Sequence, residues 1–545
     1  MQFLRKNANL VALSVALLVV LALAIVTATA GEDFTFANTL WAILPPVVAI
    51  GLALITKEVY SSLFIGVVVG ALMHAKFNFA ATMDTVVSEG LIGAVESTAG
   101  IFIFLVILGA LVALVNKTGA SAAFGRWAQA HIKTRLGAHL ATFVLGVLIF
   151  IDDYFNCLTV GSVMAPVTDS HKISRVKLAY LIDATAAPVC MIAPISSWAA
   201  AVSGSVPDDF PMSGIQLFVS AIPFNFYSLL TLVFIVAIGI MGFDYGKMTE
   251  FEIKAQKDGD LGMLGVDKAA EEVNPRGRVF DLIIPIVVLV VVCVLALLYV
   301  GGFFGVDAWG GTDFKGDFVG AFGNTDATIG LPWGALLVLV VTIAYLLCRR
   351  LVSFKEAIDC IPKGFIAMVP AILILTLATS LKNVTGLLGA DVYVEGMMAS
   401  FPDTAAKFLP AVIFLVACVL AFATGTSWGT FGILIPIVTA MFEVGNPLLF
   451  VGISACLAGA VCGDHCSPIS DTTIMASAGA NCNHVEHVST QLPYAITVAA
   501  VSFVSFIIAG FVPVVWIALP VAIALMIATL FVIRMLKNKN AKTEG

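Results

Sequence analysis

Apolar runs long enough to cross a bilayer recur along almost the whole chain, and no other property narrows its possible folds so far. A helix needs about 20 predominantly apolar residues to cross a hydrocarbon core roughly 30 Å thick. Lipid offers backbone groups no partners, which leaves helices and closed barrels as spanning structures. Stretches 11–30, 91–115, 280–300 and 513–535 meet that length. Apolar residues are 60% of the chain and charged residues 12%, against roughly 45–50% and about 25% in a soluble domain. Mean hydropathy is +1.04. No basic patch with interleaved aromatics accompanies the net charge of -7, which excludes nucleic acid as a partner and leaves membrane lipid. The 10 cysteines are scattered singly through apolar segments, a pattern unlike a secreted disulfide framework.

Taken in order, residues 1–37 hold Arg5, Lys6 and an apolar run ending in Ala28-Thr29-Ala30. That ending suits signal-peptide cleavage, but the run exceeds the usual core of about 7–15 residues, so a retained extra helix is expected. Residues 38–241 form a first transmembrane unit, with spans near 38–56, 60–75, 91–115 and 214–241. Between them, 138–168 is interrupted by Asp152-Asp153 and flanked by basic turns, and reads as a re-entrant hairpin. Span 178–204 is broken at Ala193-Pro194. A polar linker, 242–279, carries both charge signs. The second unit, 280–510, has spans near 280–300, 331–350, 364–383 and 493–510, a hairpin at 407–441 and a broken span at 447–478. Residues 511–545 supply a last helix and a basic tail with Lys537, Lys539 and Lys542. The expected fold is an all-α polytopic membrane protein of about 12 transmembrane helices plus two re-entrant hairpins.

An internal repeat organises these spans. A shift of 267 residues aligns Glu89 with Glu356, Asn116 with Asn383 and Thr118-Gly119 with Thr385-Gly386. Slightly larger shifts align Pro166 and Thr168 with Pro436 and Thr439, and Pro194 with Pro468. Each copy then holds five spans and a hairpin, an odd number that inserts the second copy upside down; such inverted repeats with broken helices point to a secondary transporter with a midplane site. With both termini cytoplasmic, all of the 28 Lys and Arg except Lys76, Lys315, Lys382 and Lys407 fall inside, as the positive-inside rule asks.

Four polar breaks converge under this folding: Asp152, Asp153 and Asn156; Ser196 and Ser197; Thr424, Thr426 and Ser427; and Asp464, His465, Ser467, Ser470, Asp471 and Thr472. Pro468 removes a backbone donor inside the last of them. Ionisable residues at membrane depth are expensive and mark ion or substrate paths. Carboxylates and hydroxyls are ligands for hard cations, so Asp153, Asp464 and Asp471 are the candidate Na+ ligands. No Lys or Arg lies within the breaks to pair with them. Small hydroxyl residues also serve plain helix packing. A zinc reading of Cys462, Cys466, Cys482, His484 and His487 is disfavoured, because the cysteines straddle a break and the histidines fall at a cytoplasmic exit. A hydrolase reading of Ser470, Asp471 and His465 fails because near neighbours rarely reach triad geometry.

The stretch Gly463-Asp464-His465-Cys466-Ser467-Pro468-Ile469-Ser470-Asp471-Thr472-Thr473, followed by Thr490-Gln491-Leu492-Pro493-Tyr494, resembles the signature of the NhaC family of sodium/proton antiporters, within the ion transporter superfamily. The resemblance implies a sodium-linked secondary transporter of the bacterial inner membrane, with re-entrant hairpins and a homodimer. It leaves the substrate open between ions alone and a small organic solute, since similar proteins exchange malate and lactate or amino acids. In Na+/H+ antiport, midplane aspartates bind either ion; Na+ and H+ are then coupling ions and no other cofactor is expected. The alternative is sodium- or proton-coupled transport of an amino or carboxylic acid, toward which Trp198 and Trp428 in two of the breaks incline.

Overall fold

Because lipid supplies no hydrogen-bond partners, each apolar segment closes its own backbone bonds, and the computed structural model is accordingly a bundle of helices. It describes residues 8–29, 34–56, 58–150, 152–207, 209–263, 276–306, 312–390, 392–393, 396, 402–468 and 470–543. The β pairing among them is one isolated bridge, Met263 to Cys482.

The first part of the chain runs α1 (Ala8–Thr29), α2 (Leu44–Thr56), α3 (Val59–His74) and α4 (Gly93–Lys117). A short helix and a π-helical segment, Phe79–Asp84 and Thr85–Ile92, extend α4 upstream of the expected span. Then come α5 (Ala120–His131), α6 (Arg135–Leu148), α7 (Asp153–Ser170), α8 (Arg175–Cys190) and α9 (Ser197–Ser205). Helices α10 (Gly214–Ala221) and α11 (Phe226–Met241) form one passage bent by 47°. This is the expected span 214–241, and Pro223 removes a donor at its bend.

The linker contributes α12 (Lys247–Lys257). Beyond it lie α13 (Phe280–Val300), α14 (Ala327–Cys348), α15 (Phe354–Leu387), α16 (Leu409–Thr424) and α17 (Ser427–Met441). The chain closes with α18 (Leu448–Cys466), α19 (Asp471–Ala480), α20 (His484–Phe511) and α21 (Val515–Thr543). Among the described residues, 7 helices are long and apolar enough to cross a membrane, or up to 9 with two bent pairs counted as spans. The remaining expected spans are short or broken helices below that length.

Interruptions fall where polar residues and prolines break the apolar pattern, at 149–150 and 152, 191–196, 425–426, and 467–468 and 470 among the described residues. Each ends one half-helix and starts another. Helix α7 packs on α8, and α17 on α18. Beyond the breaks the pairing crosses over: α9 packs on α17 and α19 packs on α7. Thr168 and Thr439 make matching bonds, 3.1 Å to the carbonyls of Met164 and Ile435 and 3.0 and 2.9 Å to those of Ala165 and Pro436.

Two cavities lie at opposite ends of the broken helix α8–α9. One, of about 490 Å³, is lined near its start by Arg135, His139, Lys177, Asp244, Glu252 and Lys537. The other, about 330 Å³, opens beyond its end at Pro207, Asp209, Lys382 and Asn383. Around the first, Arg135 pairs with Glu252 and Lys177 with Asp244. Lys537 donates to the Asp244 carbonyl at 2.5 Å. The linker and the C-terminal helix therefore share a face with both basic turns of the first hairpin.

Candidate functional site

A helix that starts in mid-bundle leaves its first amides without intrahelical partners, and a Ser or Thr hydroxyl before it meets part of that need. Ser196 caps α9 by accepting from the Ala199 N–H at 3.1 Å. Thr426 caps α17 through the Gly429 N–H, and Ser470 caps α19 through the Thr473 N–H, both at 3.3 Å. Three expected site hydroxyls are thus engaged in starting helices. Ser196 also donates to the Cys190 carbonyl at 2.7 Å, bridging its own break. Ser467 ties hairpin to broken helix by donating to the Phe422 carbonyl at 2.7 Å.

The carboxylates sit among these helix ends. Asp152 and Asp153 are each 3% exposed and Asp464 4%. Ser197 Oγ donates to Asp152 Oδ2 at 3.4 Å, and Ser427 Oγ to Asp464 Oδ2 at 2.8 Å. Asp152 and Asp464 both lie within electrostatic range of Asp153. The indole N–H of Trp198 lies toward Asp153. Trp198, Trp428 and Phe431 pack as an aromatic wall with ring centroids 6.1–6.2 Å apart. Two carboxylates thus have a serine each, the acid on the hairpin in one half and on the broken helix in the other.

Asn156 is placed differently. Its Nδ2 faces the carbonyls of Gly146, Ile149 and Thr185 at 2.7–3.1 Å, so its amide locks the hairpin turn against α8. Thr472 shares a 2.9 Å hydrogen bond with Ser470. The side chains of Thr424 and Asp471 lie outside the described residues, and among those described no three His, Cys, Asp or Glu gather as a metal-ligand group.

His465 turns away from its neighbour Asp464, as successive helical residues about 100° apart must. Its Nδ1 meets the Tyr227 hydroxyl at 2.8 Å and its Nε2 lies 3.9 Å from Asp183. His487 Nε2 is 3.4 Å from the same Asp183 oxygen, which accepts from Gln491 at 2.9 Å. His487 is wholly buried, not at an exit as the sequence reading had it, because α20 begins at His484 and carries residues 487, 491 and 494 inward. That spacing was a legible signal, one helical stripe of polar residues. The Asp244 cluster was missed for want of any motif. There burial opposes ionisation, but Lys177 and the Tyr494 hydroxyl hold the Asp244 carboxyl below the usual range.

Residues 211–511, more than half of the 545, match the model of the Na+/H+ antiporter family. An uncharacterised protein of Haemophilus influenzae is 37% identical over 495 residues, covering 88% of this chain and 92% of that one. The malate-2H(+)/Na(+)-lactate antiporter of Bacillus subtilis is 33% identical over 176 residues, 31% of this chain and 36% of the antiporter. The YdaH transporter of Alcanivorax borkumensis, a crystal structure, aligns at 13% identity and TM-score 0.42 over 79% of this chain and 89% of its own. With the family model and the Haemophilus influenzae relative beside a helical bundle of this apolarity, the chain belongs to the Na+/H+ antiporter family and is a multi-pass membrane secondary transporter, not an enzyme.

Proposed function

We propose that the chain exchanges Na+ for H+ across a bacterial inner membrane, using Asp153 and Asp464 with Asp152 as the alternating ion site. The observation that carries this reading is the burial of carboxylates from both halves at the ends of broken helices, with one serine hydroxyl donating to Asp152 and another to Asp464. A buried carboxylate is costly unless neutralised. A proton or a sodium ion can each do that, and one excludes the other, so loading one ion releases the other. Hydroxyls suit both states, donating to an ionised acid and accepting from a protonated one. The crossed packing and the matching Thr168 and Thr439 bonds support an inverted pair of halves. The basic face formed by Arg135, Lys177 and Lys537 supports cytoplasmic termini by the positive-inside rule.

The aromatic wall of Trp198, Trp428 and Phe431 favours a second reading, sodium-coupled exchange of a small organic acid, and it fits what the partial relative's name says of that protein. Proteoliposomes separate the two. Under the first reading a Na+ gradient drives proton flux without any organic solute, and Asp153→Asn and Asp464→Asn each abolish it while inserting normally. Proton flux that appears only when a carboxylic or amino acid is supplied would replace the first reading with the second.

A further inference from the structure

The carboxylate site does not absorb Asp183, His465, His487 and Gln491, which are at most 2% exposed. Gln491 Nε2 donates both to Asp183 Oδ2 and to the His465 carbonyl, at 2.9 and 2.7 Å, using both its hydrogens. Asp183 Oδ1, both ring nitrogens of His487 and Gln491 Oε1 close no hydrogen bond. An ionised carboxylate so enclosed needs a compensating charge. One proton, seated on Asp183 or shared with the imidazole 3.4 Å away, makes the group neutral.

Other groups around Asp183 place the cluster between site and surface. It faces His465 from α18 and His487 and Gln491 from α20, and within its electrostatic range lie Cys466 of α18, Cys157 of α7 and Tyr180 of its own helix. Tyr227 of α11 touches it through His465. Cys157 also lies within electrostatic range of Asp152, Asp153 and Asp464. On the other side, the Tyr180 and Tyr494 rings are 5.0 Å apart, and Tyr494 OH donates to Asp244 Oδ1 at 2.6 Å. Asp244 lines the larger cavity together with Arg135, His139, Lys177, Glu252 and Lys537.

We propose that Asp183 and His487 form a proton-binding station, separate from the cation site at Asp153 and Asp464 and reached from the Asp244-lined cavity past Tyr494. It takes up one proton and gives it back, with no other bond made or broken. The coupling runs through Gln491, which ties the station to the last turn of α18, where Asp464 sits. The inference rests on the proton-coupled reading above.

The test begins with wild-type protein carrying 15N-histidine, titrated between about pH 5 and pH 9 in sodium and in choline chloride. The signal missing from His487→Gln should titrate, should move on replacing choline by sodium, and should move in Asp183→Asn. A His487 ring of constant charge in both salts, or one indifferent to Asp183→Asn, overturns the station. In proteoliposomes His487→Gln should keep 22Na+ counterflow while Na+-driven proton flux drops roughly tenfold or more, the weight of a lost proton-transfer group. Equal loss of both fluxes would also overturn it. Wild-type protein with no Na+-driven proton flux would sink the antiport reading instead, while the histidine titration still judges the station.

Discussion

Ser427 and Asp464 form the tighter of the two acid–hydroxyl pairs, and a loss there should be felt by sodium and proton alike. Ser427→Ala should raise the apparent Na+ constant about tenfold, from ~1.4 kcal/mol of lost interaction. It should also displace the pH profile of transport, since the same oxygen steadies the carboxylate in either state. Transport measured across pH at several Na+ concentrations checks this; an unmoved profile would confine the serine to cation binding. Asp244 offers a stability prediction of opposite location. A carboxyl held below its unfolded value near 3.9 contributes stability that is complete above that value and lost as pH falls through the folded one. The melting temperature of the detergent-solubilised protein should therefore fall below about pH 4, and Asp244→Asn should remove much of that acid limb. At neutral pH the same substitution should cost about 3 kcal/mol, the lower end of what an orphaned buried partner costs, because Lys177 retains some access to the cavity.

Helices α7 and α19 cross with their backbones in contact. A Cβ on Gly161 would stand 2.5 Å from the Gly479 carbonyl carbon, and one on Gly479 only 2.4 Å from the Cys157 oxygen. Backbone on both sides cannot yield as a side chain would, so Gly479→Ala should destabilise by about 1–3 kcal/mol and weaken transport by tilting α19. Gly51→Ala, where nothing lies within 4 Å, should leave the melting temperature nearly unchanged. These elements were half legible. Pro194, Pro468 and the polar residues beside them announced the breaks, because they defeat a helix wherever the chain goes. Partners are another matter: Cys157 donates to the Thr472 carbonyl across 315 residues, and no local pattern records such a meeting. Asp464 and His465 looked like one site for a related reason. Adjacency in sequence suggests company, whereas a helix sends neighbours to different chambers.

For the molecule as a whole, Lys133 and Lys257 lie close in the chain to Arg135 and Gln256 of the larger cavity, Asp209 lines the other cavity, and Lys315 follows the far end of α13. Single cysteines at Asp209 and Lys315 should react with an impermeant maleimide added to intact cells, and those at Lys133 and Lys257 only after permeabilisation. Labelling of Lys133 and Asp209 from the same side would break the arrangement of hairpins and broken helices. The crossed packing of α9 on α17 and α19 on α7 bears also on biogenesis. A ribosome delivers the first hairpin and α9 long before residues 427–480 exist, so Asp152 and Asp153 reach the bilayer with one wall of their chamber missing. Ionisable groups facing lipid are costly. The early half must therefore stay hydrated, or sheltered by the insertion machinery, until the late half arrives, and each serves as the template on which the other matures.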